Sequence, residues 1–477
     1  GNQNGTCITV ENSDEFTVCG FLIQNGSSEE FGGGLIALYS NGEISNNIFK
    51  YNKALRGAGI YLNYSDCTIS YNQIHNNYSL KYGGGIYNNY SQIILKKNSI
   101  RFNKAALAAG GYLFYGDTCE TIFDTNDLNS LYANYAAIGS DIIKGMYTPN
   151  NIEVIVDTFT VDNPSFYYMV NAETGINDLI FSNQHSYYEQ INQDLYVSAD
   201  GDDNNSGLSP HTPLKSLHKA LMQIKADSLN PLTIHLADGI YSHSSGQLLP
   251  LQMKESVSLI GESKENTIID CEYQTPAIIT KHGHHNNSLK NMTITGTAEI
   301  GQSGYHGIYI SNSSLNENAS FEMKNIDYSD NDFGILINQL SGMFLNNRFF
   351  NNNNRTLIEN GQTVLESPIC TIIKNSNLEA NNSRTINMGN KGTDDNNRSK
   401  CFIINSNISD NFFGETDWDN QSSGISFFTE FTDINIINTT IADNSVATAH
   451  GRGISIRYSH NNSFYIRNSI LHGNSPS

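Results

Sequence analysis

Three carboxylates in the stretch NIDYSDND have the most suggestive spacing for catalysis. Asp327, Asp330 and Asp332 could hold a calcium ion while a nearby base removes a proton beside the carboxyl group of a sugar acid. A column of solvated turn residues explains the same pattern, and we favour that interpretation. The bases of the same region are Lys281, Lys324, Arg348 and Arg384.

The loop ADGDDNNSG alternates oxygen-bearing side chains, as calcium-binding loops do. Asn205 stands where such a loop needs glycine, and His211 stands where its bidentate glutamate belongs. A polar turn that leads into a helix is therefore the favoured interpretation, and calcium is the one cofactor that the sequence suggests. The four candidate ligands are Asp200, Asp202, Asn204 and Ser206.

The stretch AHGRGISIRYS contains His450, Arg452 and Arg457 and is similar to the His-Gly and Arg-x-Lys elements of polygalacturonase-like glycosidases. Those enzymes also need clustered aspartates beside the sugar. Here Asp394 and Asp395 lie in a turn-like run, GTDDNN. GRGISI also occupies the repeat position of GAGIYL and GGGIYN, so we favour a structural role, with His450 and Arg452 kept as ligand candidates.

A histidine cluster in KHGHHNN could bind a metal or act as a base. The spacing places His282 and His284 on one face of an extended segment, with His285 beside them. Since no paired carboxylate accompanies the cluster, an exposed turn is the favoured interpretation.

Three tyrosines follow glycine clusters, so the pattern predicts that Tyr61, Tyr87 and Tyr112 form one stacked column. An exposed column of this kind could bind sugar rings or protein. Packing between the repeats explains it equally well.

Glycine and asparagine recur at a fixed spacing in the N-terminal third of the chain. Gly34, Gly59, Gly85 and Gly111 close four clusters that are 25, 26 and 26 residues apart. The segments between them are too short for helices, so the repeat predicts a parallel β-helix with about three strands per coil and coils about 4.8 Å apart. Two asparagine series keep the interval: Asn47, Asn72 and Asn98, and Asn52, Asn77 and Asn103.

A longer coil follows near the C-terminus. Asn375, Asn405, Asn438 and Asn468 are 30, 33 and 30 residues apart. Stacked asparagines are expected to form side-chain amide ladders at the turns, while aliphatic residues fill the inside of the coil. A second series repeats the same intervals: Asn381, Asn411, Asn444 and Asn474.

The repeat divides the chain into three predicted parts. Residues 1–147 form a first, N-terminally incomplete parallel β-helix, residues 148–194 a β-rich connector, and residues 195–477 a second parallel β-helix. A capping helix is expected at about 213–226, because Thr212 is a suitable N-cap and a proline follows it. A capped end cannot continue stacking, so two separate solenoids are predicted.

The formal net charge of −20 argues against nucleic acid and anionic membranes as partners. No run of 18 apolar residues exists, so no membrane-spanning segment is predicted. The seven cysteines are far apart, which disfavours a zinc site. Cys370 and Cys401 are expected to stack as neighbouring thiols, with a disulfide as the less favoured alternative. Both ends lie in repeat-like sequence, so we expect a longer precursor.

The stretch LYVSADGDDNNSGLSPHTPLKSLHKAL, followed by TIHLADGIYS and VSLIGESKENTIID, resembles the opening module of many bacterial pectate-lyase-like right-handed parallel β-helices. The GGGIY and NxIxxN repeats resemble those of large surface proteins and polymorphic outer-membrane-type passengers. The resemblance implies an all-β fold and a secreted or cell-surface bacterial protein. It implies little about activity, because β-helices include lyases, hydrolases, adhesins and fibres.

The leading hypothesis is a non-catalytic structural or adhesive protein, part of a larger secreted protein or surface assembly. The second is a carbohydrate-active enzyme, either a polysaccharide lyase or a glycosidase, and a carbohydrate-binding protein lies between the two. The expected partners are further copies of the chain, other surface proteins or a polysaccharide.

Overall fold

The computed structural model describes residues 5–145, 152–171, 179–281, 286–299, 306–311, 319–353, 356–361, 368–382, 384–389, 398–413, 424–446 and 453–476. Contacts divide the chain into two compact units, Gly1–Ile191 and Asn192–Ser477. Within those ranges both units consist of short strands that pair in parallel from coil to coil, and one short helix accompanies them. The predicted all-β fold, a parallel β-helix, is confirmed. In the same ranges no helix is long and apolar enough to cross a membrane.

The first unit has mostly short strands, because each coil turns several times. They are β1 (Ile8–Glu11), β2 (Phe16–Cys19), β3 (Leu22–Gln24), β4 (Leu35–Leu38), β5 (Gly42–Ser45), β6 (Ile48–Lys50), β7 (Lys53–Arg56), β8 (Ile60–Asn63), β9 (Cys67–Ser70), β10 (Gln73–His75), β11 (Tyr78–Tyr82), β12 (Ile86–Asn89), β13 (Gln92–Lys96), β14 (Ser99–Arg101), β15 (Lys104–Ala105), β16 (Tyr112–Tyr115), β17 (Glu120–Phe123), β18 (Asn129–Tyr132), β19 (Ile142–Lys144), β20 (Ile152–Phe159), β21 (Met169–Asn171) and β22 (Leu179–Ser186).

Four sheets run along the first unit. Sheet 1 is β1-β4-β8-β12-β16-β19-β21, sheet 2 is β2-β5-β9-β13-β17, sheet 3 is β3-β6-β10-β14-β18-β20-β22, and sheet 4 is β7-β11-β15. The middle coils therefore contain four strands rather than the predicted three. Residues in the left-handed region, such as Tyr64 (φ 48°) and Tyr71 (φ 56°), provide the additional sharp turns.

Buried asparagines form two amide ladders in the first unit, as the spacing predicts. In the first ladder, Nδ2 of each asparagine donates to Oδ1 of the asparagine in the following coil at 3.0–3.1 Å. The second ladder has the same geometry, and it ends where Asp141 Oδ1 accepts from the backbone N–H and Nδ2 of Asn134. The members are Asn47, Asn72, Asn98 and Asn129, and Asn52, Asn77, Asn103 and Asn134.

The glycine column is required by close approach between coils. A Cβ atom on Gly59 would lie 2.4 Å from the carbonyl oxygen of Gly85, and one on Gly85 would lie 2.6 Å from that of Gly111. Any side chain there would push the coils apart, so the interval between these glycines in the sequence equals the length of one coil.

The residues predicted to form a connector continue two sheets of the first unit. β20 pairs with β18 and β22 in sheet 3, and β21 pairs with β19 in sheet 1. The amide ladder has already ended at Asp141, so the repeat signature disappears although strands continue to stack.

The second unit contains the helix and longer coils. Its elements are β23 (Leu195–Val197), α1 (Leu217–Gln223), β24 (Leu232–Leu236), β25 (Gly239–Ser242), β26 (Val257–Gly261), β27 (Thr267–Asp270), β28 (Ile278–Lys281), β29 (Asn286–Thr295), β30 (Ile308–Ser311), β31 (Ser320–Ser329), β32 (Ile335–Asn338), β33 (Ser341–Leu345), β34 (Arg348–Phe350), β35 (Thr356–Gly361), β36 (Cys370–Lys374), β37 (Asn377–Glu379), β38 (Arg384–Gly389), β39 (Ser399–Ile404), β40 (Asn407–Ser409), β41 (Phe412–Phe413), β42 (Ile425–Glu430), β43 (Thr432–Ile437), β44 (Thr440–Ala442), β45 (Ser445–Val446), β46 (Ile454–His460), β47 (Ser463–Arg467), β48 (Ile470–His472) and β49 (Ser475–Pro476).

Three sheets run along the second unit. Sheet 5 extends from β23 to β48 and takes two strands from most coils, sheet 6 is β28-β30-β32-β35-β38-β42-β46, and sheet 7 is β41-β45-β49. A left-handed asparagine such as Asn375 (φ 51°) separates the two sheet 5 strands of one coil. A buried ladder with Nδ2–Oδ1 distances of 2.8–3.1 Å connects Asn331, Asn352, Asn381, Asn411, Asn444 and Asn474.

Cys370 and Cys401 do not stack. Cys370 pairs with Lys400, and Cys401 pairs with Thr371, so the two thiols are one register position apart and point to opposite faces of sheet 5. Both cysteines are free. Burial raises the pKa of the Cys401 thiol to about 12.

The helix begins later than the sequence predicts. α1 has Ser216 as its N-cap, because Leu214 is still extended and pairs with Val197. Asp203 fixes this start: its Oδ1 accepts the backbone N–H groups of Lys215 and Ser216 at 3.0 and 2.9 Å.

A buried lysine holds the other end of α1. Lys254 is 3% exposed, and its Nζ donates to the carbonyl oxygens of Met222 at 3.1 Å and Ile224 at 2.7 Å. Burial lowers the pKa of Lys254 well below its usual value. These bonds satisfy helix carbonyls that have no partner within the helix.

Candidate functional site

The predicted catalytic residues are not brought together. Asp327 lies half-buried on the outer face of sheet 5, and one of its oxygens is 3.1 Å from Lys264 Nζ. Arg348 is its register partner in the next coil but pairs with Glu379 at 3.3 Å. Lys324 lies in the first half of β31, and Asp327 lies in the second half, beyond the left-handed residue Asn325. The two side chains are therefore on different parts of the sheet.

Asp330 and Asp332 lie in the turn that follows β31. Both are exposed, and Asp330 adopts the left-handed conformation (φ 56°). Burial and then the charges of Asp330 and Asp332 raise the pKa of Tyr273, so the two acids lie near this tyrosine. This geometry agrees with the interpretation of a solvated turn column.

The side chains of Asp202, Asn204 and Ser206 in the predicted calcium loop take part in hydrogen bonds within the loop. Asp202 Oδ1 accepts from the backbone and side-chain amides of Asn204 at 2.8 and 2.9 Å. Ser206 Oγ lies 3.2 Å from Thr212 Oγ1, and the backbone N–H of Asp200 donates to Ser198. Among the described residues no group of three or more histidine, cysteine, aspartate or glutamate residues could hold a metal ion.

The three tyrosines do not form one column. Tyr61 and Tyr87 are register partners with ring centroids 5.4 Å apart, and Phe31 lies 4.5 Å from Tyr61. Tyr87 pairs next with Leu113, so Tyr112 points inward and is fully buried. The reason is visible in the chain, because Tyr112 follows its cluster by one residue, whereas Tyr61 and Tyr87 follow theirs by two.

Several candidates lie outside the described residues or have undescribed side chains. His450, Arg452 and the histidines of KHGHHNN are outside the described ranges, as are Asp394 and Asp395. Lys281, Arg384 and Arg457 lie in β28, β38 and β46, where the structure describes the backbone alone.

A pocket of about 280 Å³ lies where sheet 5 begins. Tyr196 and His235 are register partners, and their rings stack with centroids 4.9 Å apart. His235 Nε2 lies 3.0 Å from Asp194 Oδ2, while Asp194 Oδ1 accepts the backbone N–H of Thr233. Glu262 also lines the pocket. An imidazole oriented by one carboxylate beside a second carboxylate could transfer protons to a small polar group.

Sequence reasoning missed this pocket because its members are distant in the chain. Asp194 and His235 are 41 residues apart, and they meet because β23 and β24 are neighbours. The available signal is the alternation LTIHL, which places His235 on the outer face of its strand.

A second imidazole–carboxylate pair lies at sheet 6. His306 Nε2 is 3.8 Å from Glu359 Oε2, and the buried Nδ1 of His306 has no hydrogen-bond partner among the residues that the structure describes. Burial lowers the pKa of His306, with Glu299 opposing the effect. Neutral imidazole is therefore favoured near pH 7.

An acidic groove runs along the outer face of sheet 2 in the first unit. Two adjoining depressions of about 250 and about 620 Å³ share Gln92, Glu120 and Ile122 in their walls. Asp66 lines the first depression and Glu153 the second. Ile122 is 49% exposed, so the floor is partly apolar.

The family match from the comparisons with known proteins lies within the second unit. Residues 199–416, a little under half of the chain, match a family described as a protein of unknown function (DUF1565). No curated protein matches the chain. The solved structure of the PL6 family alginate lyase AlyGC has 10% identity and a TM-score of 0.31, covering 99% of this chain and 96% of that chain.

Proposed function

We propose that this chain is a non-catalytic structural or adhesive protein that presents a stiff β-helix surface outside a bacterial cell. The observation that carries the proposal is the set of buried amide ladders in both units. Asn77 illustrates their geometry: its Oδ1 accepts two hydrogen bonds from Asn52, and its Nδ2 donates to Asn103 and to the Phe49 carbonyl. Such networks hold successive coils in one register.

The outer surface supports the same role. Residues chosen from the sequence for calcium-assisted catalysis are separated or paired with structural partners, as Asp327 is with Lys264. An exposed ladder connects Asn346, Asn375, Asn405 and Asn438, with amide distances of 3.1–3.3 Å. The polar surface therefore repeats from coil to coil, which suits display and multivalent contact more than a unique reaction centre.

Turnover assays test this proposal directly. The purified chain is incubated with a panel of uronate and neutral polysaccharides, with calcium and with chelator, and unsaturated products and reducing ends are measured. We expect no product above that from heat-inactivated protein. Any product formation that depends on native protein would overturn the non-catalytic role. Retention of protein-coated beads on bacterial or host surfaces tests adhesion in parallel.

The His235 pocket favours a second candidate function, proton transfer on a carbohydrate. His235→Gln and Asp194→Asn remove the imidazole and its orienting carboxylate, while His472→Gln is a matched control at an exposed position (side chain 79% exposed). If the panel detects turnover, loss in the first two variants with retention in the control would assign the reaction to this pocket.

A further inference from the structure

Part of the outer face of sheet 5 carries several exposed basic side chains. β31, β33, β36, β39, β43 and β47 are consecutive neighbours and present one continuous set of outward side chains, which we name the basic face. Its exposed cations are Lys324, Lys374, Lys400 and Arg467.

These cations have no carboxylate partner among the described residues. The three acids on the basic face are already paired: Glu322 lies 2.7 Å from Lys290, Asp327 lies 3.1 Å from Lys264, and Asp433 lies 2.8 Å from Arg398. Local excess positive charge therefore remains on a chain whose net charge is −20. Like charges on one surface repel each other, and an anionic partner would relieve that repulsion.

Apolar side chains lie between the cations. Met343, Ile372 and Phe402 are register partners in one outward column, and each is partly exposed. Tyr465 ends that column and is 46% exposed. Alternating cations and apolar groups are typical of a surface that buries area against a macromolecule rather than one that holds an ion.

We propose that the basic face binds the acidic groove of a second copy of this chain. The groove presents Asp66, Glu120 and Glu153 around the exposed Ile122, so both its charge and its apolar floor complement the basic face. Among the described residues, Glu120 and Glu153 form no ion pair that would have to break.

Both surfaces have the strand spacing of a β-helix face. Lys374 and Lys400 lie on neighbouring strands of the basic face, four register positions apart, and in the groove Glu120 pairs with the uncharged Gln92 of the neighbouring strand. Strands in both surfaces repeat every ~4.8 Å, so charges can align along the contact. Two different surfaces meet, so each molecule offers one basic face and one acidic groove, and the contact can continue from one molecule to the next.

This inference extends the proposed structural role to its assembly partner but does not depend on the absence of catalysis. A catalytic chain would assemble by the same contact, and a non-catalytic chain could remain monomeric. The sedimentation result can therefore refute the contact without refuting the non-catalytic role, and the turnover result can refute that role without refuting the contact.

Sedimentation velocity of the full chain over a range of concentrations tests the contact. We expect species larger than a monomer at low salt and their loss as salt rises, because the opposed charges are screened. Lys374→Glu with Lys400→Glu (face variant), or Glu120→Lys with Glu153→Lys (groove variant), should raise the concentration for half-association about tenfold or more.

Mixing the two variants gives the decisive result. The groove of the face variant and the face of the groove variant are intact, so their mixture should form 1:1 complexes and nothing larger. Lys97→Glu with Lys215→Glu changes the net charge by the same amount as the face variant, at exposed positions outside both surfaces, and should assemble like the wild type. Circular dichroism checks that every variant is folded.

Three outcomes would overturn the proposal. They are a wild-type monomer at every concentration, a mixture that stays monomeric while the wild type associates, and association that persists in both variants. Binding of an anionic polysaccharide to the wild type and the groove variant but not to the face variant, without self-association, would instead assign the basic face to that polymer.

Discussion

The buried carboxyl group of Asp141 should make the first unit less stable as pH rises. Asp141 is 0% exposed, ends an amide ladder, and accepts a 2.6 Å hydrogen bond from Thr160 Oγ1 at its Oδ2. Burial raises its pKa to about 7, against hydrogen bonds from Thr160 and Asn134 that lower it. Asp141→Asn preserves the shape and the Oδ1 acceptor but cannot ionise.

The pKa of Asp141 determines the sign and the size of the change in the free energy of unfolding with pH. An unfolded aspartate titrates near 3.8, so between that value and about 7 the folded state binds a proton that the unfolded state lacks. The free energy of unfolding therefore falls as pH rises through this window and changes no further above it. One pH unit is worth about 1.4 kcal/mol at full slope, and the slope halves as the group titrates near pH 7, so the fall from pH 5 to pH 7 is about 2 kcal/mol.

Urea unfolding followed by circular dichroism at several pH values measures this fall. Hydrogen exchange of peptides around Asn134 reports the same event locally. Asp141→Asn should remove the fall, whereas the control Asp162→Asn, at an exposed carboxylate, should keep it. Equal pH dependence in the wild type and Asp141→Asn would refute the reasoning, because another group would then be the one that titrates.

Three further substitutions test structural roles assigned above. Asn77→Ala should lower the free energy of unfolding by about 2–4 kcal/mol because it leaves buried ladder groups unpaired, whereas Asn76→Gly, at an exposed left-handed position, should be nearly neutral in urea unfolding. Lys254→Met should speed hydrogen exchange in α1 by removing two donors to its terminal carbonyls. Asp203→Ala should lower the melting temperature more than Asp202→Ala does, because Asp203 holds the start of α1 whereas Asp202 bonds only within its loop. The difference should be the same with calcium and with chelator. If calcium stabilises the wild type and Asp202→Ala abolishes that effect, this interpretation of the loop is wrong.

The stacking of coils could be predicted because it requires the same residue types at a regular interval along the sequence. Gly59 and Gly85 recur where no Cβ fits, and Asn72 and Asn98 recur where an amide must meet its neighbour. The position of Tyr112 was predicted wrongly, because a shift of one residue moves a side chain from the outer face of the coil to the core.

The candidate sites could not be predicted because they lie across coils. Asp194 meets His235 because β23 and β24 are neighbours. His306, just before β30, meets Glu359 of β35, which lies two strands away in sheet 6. No local motif specifies either contact. The helix start was misplaced for a similar reason. Thr212 and a following proline form a good local signal, but pairing of Leu214 with a distant strand outweighs it.

The buried ladders have a direction, and this constrains the order in which the chain can fold. Each amide donates to the asparagine of the following coil, as Asn47 does to Asn72 and Asn381 does to Asn411. A coil is therefore complete only after its C-terminal neighbour has docked. During synthesis from the N-terminus, the newest coil always carries unpaired donors until another coil arrives or a carboxyl group such as Asp141 ends the series. Whole coils can consequently be duplicated or deleted with the series intact, whereas a change of length within one coil interrupts it.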